Sequence, residues 1–367
     1  MSKNLPICKL CKEKLANQTG AHIFSFFLIK GAVNEEGERK RDKEISFDIS
    51  PTNFVNTYFG RSVSLEKIEE IKGIKLTDEE RANNKNPHTI DNLVCRDCEK
   101  RFGTVETYFK DNVYDKLISN SFKEEIDKKG TAIKICEKVN SRMIRLFIYL
   151  HIWRAAAAKY NDWKIKSKEE EELRQILNYH LGATQKETLK IVEDSEVPIS
   201  HFPLIVTYVE TENGKESENS ILIDRSKMPY CLIINDIIIQ FFTKRSHVRG
   251  SINWIYGISD VIDKDEHANF KEGEFKIGKL NDTQRNKFVE NSTKYLARKF
   301  VQKTTAMFSL LFQKCFGNKP TVEITQKVMN ELINDGQPLG YKYTLNHVKE
   351  VFIQNILEIQ EKLKRRQ

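Results

Sequence analysis

Cys8, Cys11, Cys95 and Cys98 form two C-x-x-C pairs, CKLC and CRDC, in a chain with only seven cysteines. Each pair can offer two thiolates to one ion from a short knuckle, and two pairs complete a tetrahedron. Soft thiolates favour Zn2+ over magnesium or calcium. Four protein ligands leave no open position for water, so such a zinc is structural and any chemistry must come from other residues. Cys136, Cys231 and Cys315 stand alone in apolar segments, as packing cysteines do. The paired cysteines instead lie among Lys, Arg, Asp and Glu in turn-like sequence.

Near the knuckles stand residues able to move protons or hold charge. His22, in TGAHIFSF, follows a turn and sits among apolar residues. A lone histidine in such a setting is more often structural than catalytic. Asn92, in IDNLVCRDC, either orients a neighbour or caps a turn. A helix is expected to begin just after Cys98 and to run through TVETYFKDNVYDKLI, carrying Glu99 and Glu106. Those acids read as solvent-facing helix residues or as ligands for a hard cation.

The elements that position these residues follow from pattern. Residues 1 to about 110 carry turn signals and short apolar pieces. SRMIRLFIYLHIWRAAAAKY is apolar around most of its circumference and predicts a buried helix, with His151, Trp153 and Arg154 as core and its edge. KEEEELRQILNYH predicts an amphipathic helix with an acidic first turn. FPLIVTYVE, SILID, PYCLIINDIIIQFF and SINWIYGI read as strands, with Asn235-Asp236 as a hairpin turn. Helices return from about residue 282. The fold class is therefore α+β: a zinc-binding module over 1–125, then an α+β region over 126–367 with helices in 140–190, antiparallel strands in 202–258 and helices in 282–364.

Composition narrows the classes. Hydrophobic residues at 39% and charged residues at 31% exclude wholesale disorder. No apolar run reaches the ~20 residues a bilayer needs, and the N-terminus lacks the apolar core of a secretory signal, so a cytoplasmic protein with reduced thiols and no membrane contact is expected. Sixty Lys and Arg against 52 Asp and Glu give a net charge of +8, which permits nucleic-acid binding without demanding it. Local basic runs lie at 37–43, at 244–249 and at the end of the chain.

Cys-x-x-Cys, a histidine followed by an apolar residue, then Asn just ahead of a second Cys-x-x-Cys resembles the zinc-containing HNH endonucleases over about residues 5–110. The resemblance implies a ββα-metal core, with His22 as general base and Asn92 as the middle residue that orients the histidine or its metal. Asn92 sits closer to its knuckle than the family's commoner spacing, so Asp91 or His88 could fill that role. The family's final histidine is missing, and Glu99 and Glu106 stand in its place. CEKRFGTVETYF followed by FIYLHIWRAAAA is also similar to a prokaryotic HNH-like group, which implies a bacterial protein in a defence or mobile-element setting.

The function so implied is metal-dependent hydrolysis of nucleic-acid phosphodiester bonds, DNA first, with structural Zn2+, a catalytic Mg2+ or Mn2+, and Arg96, Lys100 and Arg101 gripping flanking phosphates. The alternative is a catalytically inactive, zinc-stabilised nucleic-acid-binding or interaction protein. The C-terminal region leaves room for a protein partner or a homo-oligomer.

Overall fold

The computed structural model describes residues 5–33, 45–48, 56–59, 64–72, 75, 77, 88–160, 163–197, 199, 202–209, 221–224, 229–250, 261–334 and 345–365. In chain order the first elements are β1 (Ala21–His22), α1 (Phe26–Val33), β2 (Ile45–Asp48), β3 (Asn56–Phe59), α2 (Leu65–Lys72), β4 (Thr89–Ile90), α3 (Arg96–Phe109), β5 (Lys123–Ile126) and β6 (Ala132–Cys136). There follow α4 (Ser141–Ala157), α5 (Ser167–His180), α6 (Gln185–Asp194), β7 (Leu204–Val209), β8 (Ile221–Asp224), β9 (Tyr230–Ile234), β10 (Ile237–Phe241) and α7 (Arg245–Gly250). The last are α8 (Lys264–His267), β11 (Phe275–Leu280), α9 (Asp282–Phe316), α10 (Val322–Asn334) and α11 (Leu345–Lys364). Helix and strand both contribute, as the α+β class requires. Among the described residues no helix is long and apolar enough to cross a membrane. The expected strand SINWIYGI and the basic run at 37–43 lie outside the described residues.

Contacts divide the chain into two compact units, Met1–Arg39 with Asn86–Phe288, and Lys40–Lys85 with Val289–Gln367. The first holds a seven-stranded sheet in the order β5-β6-β11-β7-β10-β9-β8. Its pairings are antiparallel except β11 against β7, where Gly278 faces Thr207 in parallel register. The sheet thus reaches outside 202–258 at both ends. β5 reads KEEI and is exposed at every position, so no apolar alternation marks it; charge suits the sheet edge it occupies. β7, β9 and β10 are buried at every position, so both faces of the sheet centre are covered there. The turn expected at Asn235-Asp236 is present: Ile234 pairs with Ile237, and Asn235 takes φ 55°.

α4 runs through the core of this unit. Asn140 caps it, its side chain accepting from the backbone N–H of Arg142 and Met143. Every residue of the helix but Arg142 is buried. Tyr149 donates to the Phe202 carbonyl at 3.1 Å and meets Phe241 edge-on. Arg145, wholly buried, donates from both Nη atoms to the carbonyls of Phe202, Asn269 and Lys271, while its Nε stays without a partner. Phe147 stacks on Phe109 of α3 with centroids 3.9 Å apart, and Phe27 of α1 lies beside both.

α3 begins at Arg96, three residues earlier than expected. Cys95 is its extended N-cap, and Glu99 N–H closes the first turn on the Cys95 carbonyl at 3.0 Å. The helix continues through a π-helical turn, Lys110–Tyr114, to Ile118.

In the second unit, β2 and β3 pair antiparallel. A core of Phe300, Phe308, Phe312, Val328, Leu332 and Phe352 joins α9, α10 and α11. Lys327 bridges α10 to Glu358 of α11 at 3.0 Å.

His267, at the end of α8, lies so close to Gly278 of β11 that a Cβ there would stand 2.6 Å from its Nδ1 and 2.9 Å from Thr207 Cγ2. Gly278→Ala should therefore overpack the strand and cost about 1–3 kcal/mol, read as a lower urea midpoint. An unchanged midpoint would show that this approach is not constraining.

Candidate metal centre and the arginine beside it

The first knuckle is a tight loop. Ile7 bridges to Leu15, Cys8 N–H donates to the Lys14 carbonyl at 2.7 Å, and Lys12 N–H returns to the Cys8 carbonyl at 3.0 Å. Lys12 takes φ 59° to complete the turn. The second knuckle is the start of α3, with Cys95 as N-cap and Cys98 in the first turn. Backbone bonds sew the two together: Lys9 N–H to Leu93, Gln18 N–H to Val94 and Asn92 N–H to Gln18. Asn17 Oδ1 accepts from Arg96 N–H, and Asp91 Oδ1 accepts from Gly20 N–H.

This arrangement brings the four sulfurs of Cys8, Cys11, Cys95 and Cys98 within 4.8 Å of one another. Thiolates bound tetrahedrally at zinc's ~2.3 Å would stand about 3.8 Å apart, so the group needs only slight contraction. Cys8, Cys95 and Cys98 are buried. The Cys98 hydrogen bond, with backbone N–H groups of Cys11, Cys95 and Leu10, holds the Cys8 thiol down at about 4. The same bond, then burial, pushes Cys98 up, and burial pushes Cys95 up. Four crowded sulfurs cannot all ionise unaided, and a divalent cation supplies the missing charge. The four cysteines can therefore hold a metal ion such as zinc. Among the described residues they are the only group of three or more His, Cys, Asp or Glu side chains that converges so closely.

The knot also fixes what surrounds it. β1 and β4 pair antiparallel, His22 opposite Thr89, just ahead of α3. Three of the candidate residues are joined here through Arg154 of α4: Glu99 and Glu106 by their carboxylates and His22 by its backbone carbonyl. Its Nη1 donates to the His22 carbonyl at 2.7 Å and to Glu106 Oε1 at 3.1 Å, and its Nη2 to Glu99 Oε1 at 2.9 Å. The guanidinium lies 4.6 Å from the Phe102 ring centroid, and Arg154 is 1% exposed. Burial raises the pKa of Glu99; Arg154 opposes the rise and Glu106 adds to it. Glu99 Oε2 and Arg154 Nε are buried without a hydrogen-bond partner.

The His22 side chain is half-buried, its ring 5.4 Å from Phe26. Asn92 sits in the turn between β4 and α3 at φ 59°, a conformation Asn tolerates better than most residues. His88 is buried, Nδ1 on the Tyr160 hydroxyl at 2.9 Å, and burial with nearby His22 lowers it to about 3. Arg96 and Lys100 are exposed. Arg101 turns inward: it donates to the Leu181 carbonyl at 2.8 Å and to the side chain and carbonyl of Asn178, and its Nη1 lies 3.9 Å from Cys98 Sγ. It joins the C-terminal end of α5 to the knuckle.

Arg154, expected as the edge of the core, is instead the centre of two ion pairs. The signal was there: a cation inside an otherwise apolar helix must find an acceptor, and Glu99 and Glu106, two turns apart on one helix, offer a matched pair. His151, on the same helix, is a satisfied core histidine. Its Nε2 accepts from the Ser25 N–H at 3.0 Å, so its Nδ1–H donates to the Phe147 carbonyl at 2.8 Å.

Cys95→Ser should lose bound zinc and make the N-terminal region protease-sensitive; unchanged zinc content would remove the knot from the site. Burial lowers the pKa of His151 from 6.5 to about 4. As pH falls through that window the unfolded chain takes a proton that the folded chain refuses, so stability should drop between those values and be flat with respect to this group above them. His88 acts in the same direction. Urea midpoints across this range in wild type and His151→Gln read the effect, and an identical slope in the two would contradict it.

Set beside known proteins, the chain matches no protein-family model, no curated protein and no solved structure.

Proposed function

We propose that the chain is an HNH-like, metal-dependent endonuclease acting on DNA in the cytoplasm, in a bacterial defence or mobile-element setting. A ββα-metal module over β1, β4 and α3 would carry the chemistry. The observation that supports this best is the single nitrogen of Arg154 that bonds both the His22 carbonyl and the Glu106 carboxylate. It draws the histidine strand and the carboxylate helix to one place beside the four-cysteine knot.

In this reading neutral His22 takes a proton from the attacking water. Asn92, or Asp91 or His88 in its stead, orients the imidazole. Glu99 and Glu106 would hold Mg2+ or Mn2+, which supplies charge neutralisation at the scissile phosphate and its departing oxygen. Glu99 Oε2, buried and unpartnered, is the oxygen left for such an ion. Arg154 must yield at least one of its carboxylate bonds when the ion arrives. Arg96 and Lys100, exposed on α3, are the cations able to meet flanking phosphates; each contact would steepen the log–log salt dependence by about 0.9 on duplex DNA. Arg101 is held by α5 and serves the knuckle instead.

One observation favours the second reading, a zinc-stabilised nucleic-acid-binding protein without chemistry. Both carboxylates already have a buried cation between them. Plasmid incubated with the protein and Mg2+ or Mn2+ separates the two. Nicking by wild type, absent in His22→Ala, is the expected result. If neither protein cuts but both retard DNA equally on a gel, the binding reading replaces the first.

A further inference from the structure

A cleft of about 450 Å³ opens between the first knuckle, the edge of α4 and the first turns of α5. It lies within the roughly 300–1,000 Å³ of ordinary ligand sites. Ile7, 52% exposed, supplies apolar surface beside Trp153, which is 1% exposed; Lys9 and Lys12 supply ammonium groups; Ser167 and Glu170 supply a hydroxyl and a carboxylate; Cys8, Glu171 and Arg174 complete the lining.

Most of the charges there already have partners. Lys9 Nζ donates to the Ala157 carbonyl at 2.7 Å, which holds its ammonium at the rim with donors to spare. Lys12 pairs with Glu171 at 2.8 Å, and Arg174 closes on the same carboxylate. Glu170 differs. It is half-buried, it lines the cleft, and its carboxylate makes no hydrogen bond or ion pair among the described residues. Burial raises its pKa, and Lys9 opposes the rise. A carboxylate partly taken from water and left unpaired wants a ligand that presents N–H groups.

The wall chemistry selects among ligands. A bare phosphate would meet Glu170 with like charge. A simple amine would meet the two lysines with like charge. A flat ring with donors on one edge and acceptors on the next satisfies every wall. Among nucleobases guanine alone has adjacent N1–H and N2–H donors for a carboxylate, and O6 and N7 acceptors for lysines. Adenine N1 and cytosine N3 would turn a lone pair toward Glu170. Uracil offers a single donor between two acceptors. An unstacked base is commonly held against apolar or aromatic side chains while its edges are read in this way.

We propose that this cleft is a guanine-binding site, with Glu170 reading the Watson–Crick edge, Lys9 and Lys12 the O6/N7 side, and Ile7 packing the ring. The base comes either from a free guanine nucleotide or from one unpaired residue in a strand. The site is separate from the Glu99–Arg154–Glu106 cluster and needs no catalytic cation, so it stands or falls apart from the cleavage reading.

The test is calorimetric titration of the full-length, zinc-loaded protein without added Mg2+ or Mn2+. The probes are GMP, AMP, CMP and UMP, and short oligothymidylates with and without one guanine. GMP should bind about tenfold or more tightly than AMP, CMP or UMP, and Glu170→Gln should erase that preference. Ile7→Trp, which fills the cleft from its exposed rim, should abolish GMP binding, with zinc content equal to wild type as the check on folding. A guanine-bearing oligonucleotide binding far better than GMP assigns the site to a strand; GMP binding as well as the oligonucleotide assigns it to a free nucleotide. Equal binding of all four nucleotides, binding of none, or unaltered GMP preference in Glu170→Gln overturns the proposal.

Discussion

Four sulfur atoms from two stretches far apart in the chain must share one small volume. Cys8 and Cys11 close a loop, Cys95 and Cys98 open a helix, and backbone bonds from Lys9, Gln18 and Asn92 hold the loop to the helix start. Closing the intervening chain costs entropy that grows only with the logarithm of its length. A bound zinc contributes on the order of 10 kcal/mol, enough to offset that cost. The register of β1 on β4 and the position of α3 both follow from this junction, because the residues between them and the cysteines are few. The segment Lys40–Lys85, which lies between the two knuckles in sequence, belongs by its contacts to the other unit.

A second constraint comes from α4. Arg145, His151 and Arg154 lie inside it, where an unpaired charge or an unsatisfied donor would be costly. Each finds different partners, though the Nε atoms of Arg145 and Arg154 stay unpartnered. Arg145 takes backbone carbonyls from the strand region and the turn before β11. His151 stays neutral and fixes the chain at Ser25. Arg154 takes two carboxylates and the His22 carbonyl. These polar contacts give α4 a single rotation and depth against its neighbours, which a uniformly apolar surface would not specify. They also tie the strand of His22 to the helix of Glu99 and Glu106.

The cysteine pairs, the buried helix at α4 and the hairpin at Asn235-Asp236 were legible because each is a local signal: a spacing, a circumference of apolar residues, a turn composition. β5 and β11 were not. KEEI has no apolar alternation, and FKIGKL carries a glycine whose reason, the close approach of His267, is visible only in three dimensions. The parallel pairing of β11 with β7 joins residues distant in sequence, and no local period encodes it. Around the candidate site the residue types were readable, and the role of Arg154 was not, since its partners come from three other elements. Arg101 likewise looked like a surface cation until the end of α5 supplied its acceptors.

X-ray absorption at the zinc edge of the purified full-length protein probes the junction itself. The expected spectrum is one zinc per chain with four sulfur neighbours at about 2.3 Å and no lighter ligand in the first shell. A first shell containing nitrogen or oxygen, or protein that folds and purifies without zinc, would contradict the account.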